Sequence, residues 1–166
     1  MKIRKDFVTN SSSSSFIISF NSKDEAIKYF EDKINEDEIF EKVLNNIKCT
    51  PPMSYDEVMN FAKEEFEHVA FYILMCERYK GYRNFADYIK SKNGSKIQTY
   101  ELFDMPEFIE ARETIVNEKI EKFKNAIKDS KYLVKLEYED HTKTGSKLEH
   151  EIMPYLDCTI KRFSHH

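Results

Sequence analysis

The hydrophobic pattern of this chain changes its period twice, and these changes constrain the fold more than any other feature of the sequence. The run 16–20 has the β-branched and aromatic character of a strand. From Ser22 to about Ile127, apolar residues recur at three- and four-residue spacing, as they do in amphipathic helices. Beyond Ser130, apolar residues recur at every second position over 132–138, which predicts a half-buried strand. The pattern therefore predicts an α+β fold.

Start and stop signals divide the middle of the chain into five predicted helices. Ser22-x-x-Glu25 and Ser54-x-x-Glu57 are capping boxes that begin the first and the third helix. Thr50-Pro51-Pro52 separates the second helix from the third. Gly81 ends the third helix, a short helix follows it, and Pro106 lies in the first turn of a long one. The third helix becomes apolar all round near its end and is the predicted central helix.

Matching apolar faces predict a hairpin in the C-terminal part. Tyr138 is expected opposite Leu148, and Val134 opposite Ile152. Residues 141–145 are then a five-residue connecting loop.

A second reversal over 154–157 is expected to bring 159–163 back alongside the hairpin. The predicted sheet is antiparallel and has three to four strands, formed by the N-terminal strand and this C-terminal meander. It is expected to pack against a layer of four to five helices. The length of 166 residues favours a single α+β domain over 1–166.

Five consecutive serines near the N terminus are fenced by apolar residues on both sides. We expect an ordered loop packed against the C-terminal sheet, with Phe7 and Phe16 buried. Serine hydroxyls and successive backbone N–H groups can cradle an anion, although no Gly-x-x-x-x-Gly-Lys completes a phosphate loop. The candidate ligand-binding residues are Ser11, Ser12, Ser13, Ser14, Ser15 and Arg162.

Four of the five histidines follow Tyr138. The expected meander brings the end of the chain beside the loop that holds His141. Imidazole is a common metal ligand, and Asp140 can add an oxygen. His150 lies inside the expected strand and reaches this group only with a shifted register. We expect no cofactor apart from this possible divalent metal, whose candidate ligands are His141, His165 and His166.

The remaining motifs carry little chemistry. The three cysteines, Cys49, Cys76 and Cys158, lie far apart in the sequence. They form no Cys-x-x-Cys metal-binding motif, and their odd number does not fit a set of disulfide bonds. Such a set suits a reducing cytosol. We expect no redox role for them, and Cys76 is expected to be a small core residue. Glu65-x-x-His68 has the spacing of ligands in carboxylate-bridged iron proteins, but a single copy is expected to be a polar helix face.

Charge and hydropathy exclude two classes of partner. Acidic residues outnumber basic ones by 30 to 26, which gives a net charge of −4 and disfavours binding to nucleic acid through phosphate neutralisation. The longest apolar run, 69–76, is too short to span a bilayer. We therefore expect a cytoplasmic protein that binds neither nucleic acid nor membrane.

The chain opens with Asp-Phe-Val-Thr-Asn-Ser-Ser-Ser-Ser-Ser-Phe at residues 6–16 and ends with Arg-Phe-Ser-His-His at 162–166. This opening resembles the start shared by a group of small uncharacterised proteins from clostridia-like Gram-positive bacteria. Some of them also end in a short basic stretch that runs into Ser-His-His. The resemblance covers the two ends of the chain and not its helical middle. It implies no activity, so it assigns no catalytic residue.

Two classes of function remain. The first, which we favour, is a non-enzymatic binding or regulatory module whose serine loop and histidine-rich edge contact a partner protein or an anionic small molecule. The alternative is a small hydrolase or transferase that uses a metal held by the C-terminal histidines, or a serine activated by one of them. The position of the serine loop relative to the histidine-rich edge discriminates between them, because opposite faces would count against the enzyme. One concave pocket shared by the loop and the edge would favour the enzyme.

Overall fold

The computed structural model describes residues 13–94, 97–139 and 142–165, and the chain folds into two compact units. The first, called the sheet unit below, is built from the described residues of Met1–Ser54 and Asp129–His166. The second, the helical unit, is Tyr55–Lys128. The expectation of a single domain over 1–166 stays a prediction.

The sheet unit is organised by β1 (Ser13–Phe20), which lies between two strands from the other end of the chain. β2 (Tyr132–Glu139) pairs with one edge of β1 and β3 (Thr159–His165) with the other, both antiparallel. The register places Phe16 of β1 opposite Arg162 of β3. The α+β class is confirmed, and so is the antiparallel sheet that joins the N-terminal strand to the C-terminal strands.

The predicted register of the C-terminal hairpin is wrong. Tyr138 lies opposite Ser14, and Val134 lies opposite Ile18. β2 thus takes β1 as its partner, and not the segment that follows β2. The apolar face of β2 was predicted correctly, because Val134 and Tyr138 are both buried. The partner of that strand was not.

The segment expected to complete the hairpin is helical. It consists of α7 (Lys143–Lys147), a π-helical turn (Leu148–Ile152) and a 3₁₀ turn (Met153–Tyr155). Thr142 is the N-cap, and its Oγ1 accepts a hydrogen bond from the N–H of Gly145 at 2.9 Å. The sequence pattern misleads here because apolar side chains four residues apart share one face of a helix as well as of a strand.

The serine tract is strand from Ser13 onwards, so the predicted loop is wrong for Ser13–Ser15. Ser14 is 0% exposed and Ser15 is 2% exposed. Serines are tolerated in a central strand when their hydroxyls keep hydrogen-bond partners, and the Ser15 Oγ donates to Glu137 across the sheet at 3.2 Å. Other residues of the same prediction lie outside the described residues, namely Phe7, Ser11 and Ser12.

Two helices of the sheet unit pack with the sheet in one core, α1 (Lys23–Ile34) and α2 (Ile39–Cys49). Phe16 is fully buried in this core, as predicted. The ring of Phe30 in α1 lies 6.1 Å from the ring of Phe20 in β1. Apolar side chains of both helices therefore cover the face of β1 that carries Phe16.

The helical unit is built on two long helices that pack against each other, α3 (Tyr55–Cys76) and α6 (Pro106–Ile127). Two shorter helices lie between them in sequence, α4 (Phe85–Asn93) and α5 (Thr99–Leu102). None of the described helices has the length and apolar character that crossing a membrane requires.

The five helices predicted from the sequence are confirmed as α1–α4 and α6. The capping box of α1 forms, since Ser22 Oγ accepts from the N–H of Glu25 at 3.1 Å. α4 is capped by Asn84, whose side chain accepts from the N–H of Asp87 and donates to the carbonyl oxygen of Met75. The sequence missed α5 and α7, which are too short to show a hydrophobic period.

Gly145 tests the helical placement of the 143–155 segment. A Cβ at this position would meet the backbone carbonyl oxygen of Glu139. We expect Gly145→Ala to lower the free energy of unfolding by about 1–3 kcal/mol, because overpacking outweighs the gain in helix propensity. Urea unfolding followed by circular dichroism measures the change.

The matched control is Thr144→Ala, at an exposed position of the same helix. We expect it to change the free energy of unfolding by less than about 0.5 kcal/mol. If Gly145→Ala proved as stable as this control, the close approach of α7 to β2 would be wrong.

Candidate functional site

Polar side chains from three segments of the sheet unit meet beside the first residues of β1. Ser14 comes from β1, Arg162 from β3, and Glu149 and His150 from the π-helical turn. These four residues are called the Glu149 cluster below. Ser14 and Glu149 are 0% exposed, whereas the side chains of Arg162 and His150 are 27% and 40% exposed. The cluster therefore has a buried acidic centre and a basic side that reaches solvent.

The carboxylate of Glu149 is held through one of its oxygens. Ser14 Oγ donates to Oε1 at 2.8 Å, and Arg162 Nη2 donates to the same atom at 3.3 Å. Arg162 Nε also donates to Ser14 Oγ at 3.1 Å, which closes a ring of three hydrogen bonds. Among the described residues, no donor reaches the other oxygen, Oε2, which is buried. A buried carboxylate requires a partner of opposite charge, and Arg162 supplies it.

His150 contacts the ion pair from the solvent side. Its Nδ1 lies 3.4 Å from Arg162 Nη2, and its Nε2 lies 3.9 Å from Glu149 Oε1. A guanidinium carries donors only, so a hydrogen bond between Nη2 and Nδ1 requires the neutral ring with its proton on Nε2. In this arrangement His150 accepts from the arginine.

The contacts of the Glu149 cluster are structural, because they hold segments of the sheet unit together. Ser14 is buried, and its proton is donated to a carboxylate that Arg162 already holds. The same three hydrogen bonds tie β1, β3 and the π-helical turn together. π-Helical turns are frequent at functional sites, and here the turn places Glu149 Oε1 3.3 Å from Arg162 Nη2.

Two of the residues predicted to bind an anion, Ser14 and Arg162, belong to this cluster. Their polar groups are engaged with each other and with Glu149, whose buried negative charge opposes a second anion. Ser13 lies opposite His165 in the register, so Ser13–Ser15 and the described end of β3 are on adjacent strands. Anion binding at the serine tract stays a prediction.

The predicted metal ligands fall largely outside what the structure describes. His141 and His166 lie outside the described residues, and His165 is described only as a position in β3. Within 13–94, 97–139 and 142–165, no group of three or more His, Cys, Asp or Glu side chains is arranged to hold a metal ion. The divalent metal therefore stays a prediction. Glu65 and His68 both lie on α3, and His68 is exposed.

Sequence reasoning missed Glu149 because the predicted hairpin gave the segment 148–152 a strand alternation with outward-facing glutamates. The available signal was Arg162, which lies in a predicted strand. A partly buried arginine in a sheet requires an acidic partner. Between β2 and that strand, Glu149 lies in a segment, 148–152, where apolar and acidic residues are mixed.

The helical unit contains a concave groove of about 540 Å³ between α3, α4 and α6. Its floor is apolar, since Leu74, Phe85 and Ile89 are 2%, 4% and 1% exposed. This helical groove, as it is called below, is lined by Ile73, Leu74, Glu77, Arg78, Tyr79, Phe85, Tyr88, Ile89, Lys92, Glu107, Glu110, Ala111, Thr114 and Ile115.

A tight turn between α3 and α4 shapes one side of the helical groove. Tyr79 and Tyr82 exchange two backbone hydrogen bonds of 2.8 and 3.2 Å. Between them, Lys80 and Gly81 have φ angles of 45° and 86°. Positive φ at both central residues is the geometry of a type I′ turn, which explains why a glycine is needed here. The short helix predicted directly after Gly81 begins only at Phe85 for this reason.

The turn holds Tyr79 against two aromatic rings of α4. The Tyr79 ring lies 4.8 Å from that of Phe85 and 5.1 Å from that of Tyr88. These three residues line one side of the helical groove and are called the aromatic wall below.

Two lysines of the chain lie over the aromatic wall. Lys80 Nζ is 5.3 Å from the ring centroid of Tyr79 and 5.7 Å from that of Tyr88. Lys92 Nζ is 4.7 Å from the ring centroid of Tyr88. A hydrogen bond from Lys92 also lowers the pKa of the Tyr88 hydroxyl, and the same bond raises the pKa of Lys92. Two rings of the wall, those of Tyr79 and Tyr88, are thus in cation–π contact with ammonium groups of the chain itself.

A second cavity, of about 670 Å³, lies in the sheet unit and is polar. Residues of α2 and α7 line it, and the ion pair between Lys147 and Asp37 crosses from one segment to the other. Neither this cavity nor the helical groove is lined by Ser14 or Arg162. A concave pocket at the serine loop and the histidine-rich edge would have favoured an enzyme. Neither of these two cavities is such a pocket.

The cysteines differ in exposure. Cys76 is exposed at the end of α3, so its predicted place in the core is wrong, and Cys49 is exposed as well. Cys158 is buried in the core of the sheet unit, and burial raises the pKa of its thiol to about 12.

The difference in exposure predicts the reactivity of the thiols. At about pH 8, Ellman's reagent is expected to modify Cys49 and Cys76 quickly in the folded protein, because the thiolate is the reactive form and needs access to solvent. Cys158 is expected to react only after denaturation. A fast reaction in the variant Cys49→Ala/Cys76→Ala would contradict the burial of Cys158.

The ion pair of the Glu149 cluster predicts the effect of removing the arginine. We expect Arg162→Ala to lower the free energy of unfolding by roughly 2–4 kcal/mol, because it leaves a buried carboxylate without its positive partner. Adding Glu149→Leu to Arg162→Ala removes that charge and is expected to recover part of the loss. Urea unfolding measures both variants.

Lys131→Ala is the control, since Lys131 is an exposed cation just before β2. It is expected to change the free energy of unfolding by less than about 0.5 kcal/mol. A double variant no more stable than Arg162→Ala alone would argue against an uncompensated buried charge.

No family model, curated protein or solved structure matches this chain. Its function is therefore inferred from the geometry of the Glu149 cluster and of the helical groove.

Proposed function

We propose that this protein is a non-enzymatic binding module and that its ligand is a small molecule held in the helical groove. The observation that carries the proposal is the groove itself, a concave space of about 540 Å³ with an apolar floor. Ligand sites are typically clefts of roughly 300–1,000 Å³ lined by apolar and aromatic side chains with a few polar groups. The helical groove has this size and this composition.

The side chains of the groove are suited to hold an apolar body without rearrangement of the core. Leu74, Phe85 and Ile89 are almost fully buried and form a fixed floor. Ile73 and Ile115 are half-buried and remain available for further contact. Covering apolar surface of this kind contributes roughly 25 cal/mol per Å² removed from water. Binding is thus driven by apolar contact.

The ligand is placed in the helical groove and not at Ser14 and Arg162 because the polar groups of these two residues are already engaged. Ser14 and Arg162 fasten the sheet through Glu149. The expectation of a partner protein or an anionic small molecule at the serine tract therefore finds less support than a ligand of the groove.

The alternative, a serine-dependent hydrolase or transferase, requires a hydroxyl that a substrate can reach. Ser14 and Ser15 are 0% and 2% exposed, which counts against both as nucleophiles. The metal-dependent version of this alternative enzyme requires His141, His165 and His166 as metal ligands.

The proposal includes a cytoplasmic location and no nucleic-acid partner. The three cysteines are free thiols, which suits a reducing compartment. The net charge of −4 disfavours contact with phosphate backbones.

The test is a titration with 1-hexanol as an apolar probe, followed by NMR of the isoleucine methyl groups. We expect concentration-dependent shifts at Ile73, Ile89 and Ile115, which line the groove. Ala111→Phe fills the groove and is expected to abolish these shifts. Ala126→Phe is the matched control, because Ala126 is an exposed residue of the same helix outside the lining.

The control variant is expected to retain the shifts of the unmodified protein. Absence of saturable shifts in the unmodified protein, or equal shifts in Ala111→Phe, would overturn the placement of the ligand in the groove. Circular dichroism of both variants checks that the helices are intact.

A further inference from the structure

We infer that the ligand of the helical groove carries an ammonium group on an apolar body, as an alkylammonium or arylammonium ion does. This inference rests on the proposed function and adds the charge of the ligand to it. It is drawn from the aromatic wall, from the charges along the groove and from the two lysines beside it.

Two rings of the aromatic wall already contact ammonium groups of the chain's own lysines. Three contacts of 4.7 to 5.7 Å bring Lys80 and Lys92 over the rings of Tyr79 and Tyr88. The negative face of an aromatic ring attracts a cation within about 6 Å. The ammonium of a ligand is attracted to the same faces for the same reason.

Carboxylates lie along the groove beside the aromatic wall. Three glutamates, Glu77, Glu107 and Glu110, line it together with two cations, Arg78 and Lys92. Lys80, over the wall, is a third cation, so the negative and positive groups balance and only displacement of a lysine leaves a carboxylate for a cationic ligand. Glu107 is also the carboxylate that attracts Lys92, so a carboxylate lies near the aromatic wall where an ammonium would bind.

The lysines over the wall are exposed and therefore exchangeable. Lys80 and Lys92 both reach solvent, so either can swing into water when a ligand takes its place over a ring. Lys92 then competes with a cationic ligand for Tyr88 and repels it. Removing Lys92 is expected to strengthen the binding of a cation, whereas it would weaken the binding of an anion.

The experiment compares three probes with the same hydrocarbon chain, hexyltrimethylammonium, 1-hexanol and hexanoate, by NMR titration of the groove methyl groups. We expect hexyltrimethylammonium to bind at least about threefold more tightly than 1-hexanol, and hexanoate to bind more weakly than 1-hexanol. Tyr88→Leu is expected to lower the ratio of the affinity for hexyltrimethylammonium to the affinity for 1-hexanol, because both probes lose apolar contact but only the cation loses the ring face.

Lys92→Met is the second variant, and it does not alter the floor of the groove. We expect it to tighten the binding of hexyltrimethylammonium by about twofold or more. The matched control is Lys63→Met, an exposed lysine of α3 outside the groove lining, which is expected to change nothing.

The outcomes separate the two proposals. If all three probes bind in the groove but hexanoate binds as well as hexyltrimethylammonium, or Lys92→Met weakens the ammonium probe, the inference about charge is wrong and the binding function stands. If none of the probes shifts the groove methyl groups, both proposals fail.

Discussion

β1 is hydrogen-bonded along both of its edges, and the sheet unit depends on this one constraint. Its partners, β2 and β3, both come from the C-terminal part of the chain. The unit is therefore discontinuous in sequence, with the helical unit as Tyr55–Lys128 between its two parts. Over Ser13–Ile18 the strand is paired with both neighbours, with one register shift on the β3 side between Ile17 and Ile18. Ser13–Ser15 enter the fold as strand for this reason.

The Glu149 cluster supplies the hydrogen-bond partners that a buried serine in β1 requires. A serine-bearing strand in a buried position needs partners for its hydroxyls. Ser14 finds one in Glu149, and Glu149 in turn requires Arg162. The first residues of β1, the π-helical turn and β3 are thus joined by side chains as well as by the sheet. Two of the residues that the sequence marked as a binding site, Ser14 and Arg162, thus hold segments of the sheet unit together.

The sequence predicted the helices well because each has local signals. Ser22 and Glu25 cap α1 as expected, and the apolar spacing identified α3 and α6. The sequence also predicted that β2 alternates, with Val134 and Tyr138 buried. Pairing could not be predicted from alternation alone. A strand whose apolar residues alternate with period two can pair with any strand that has a matching apolar face. Both β1 and the segment 148–152 match β2 in this way.

In the candidate site, too, some residues could be predicted from the sequence and others could not. Ser14 and Arg162 were identified as chemically important, and both belong to the Glu149 cluster. Glu149 itself was missed because it lies in a helical turn whose apolar spacing also fits a strand. The helical groove was missed because it forms where three helices meet, and no local pattern reports that packing. Its aromatic wall depends on the turn at Lys80 and Gly81, of which only the glycine is visible in the sequence.

Amide hydrogen exchange along β1 tests the central structural claim most directly. In a strand paired on both edges, successive N–H groups point to alternate neighbours and all of them are hydrogen-bonded. The account predicts slow exchange at every amide from Ser14 to Ser19, with no alternation. Alternating slow and fast amides would show that β1 is an edge strand, and uniformly fast exchange over Ser14 and Ser15 would show that the serines are not part of the sheet. Either result would contradict the account.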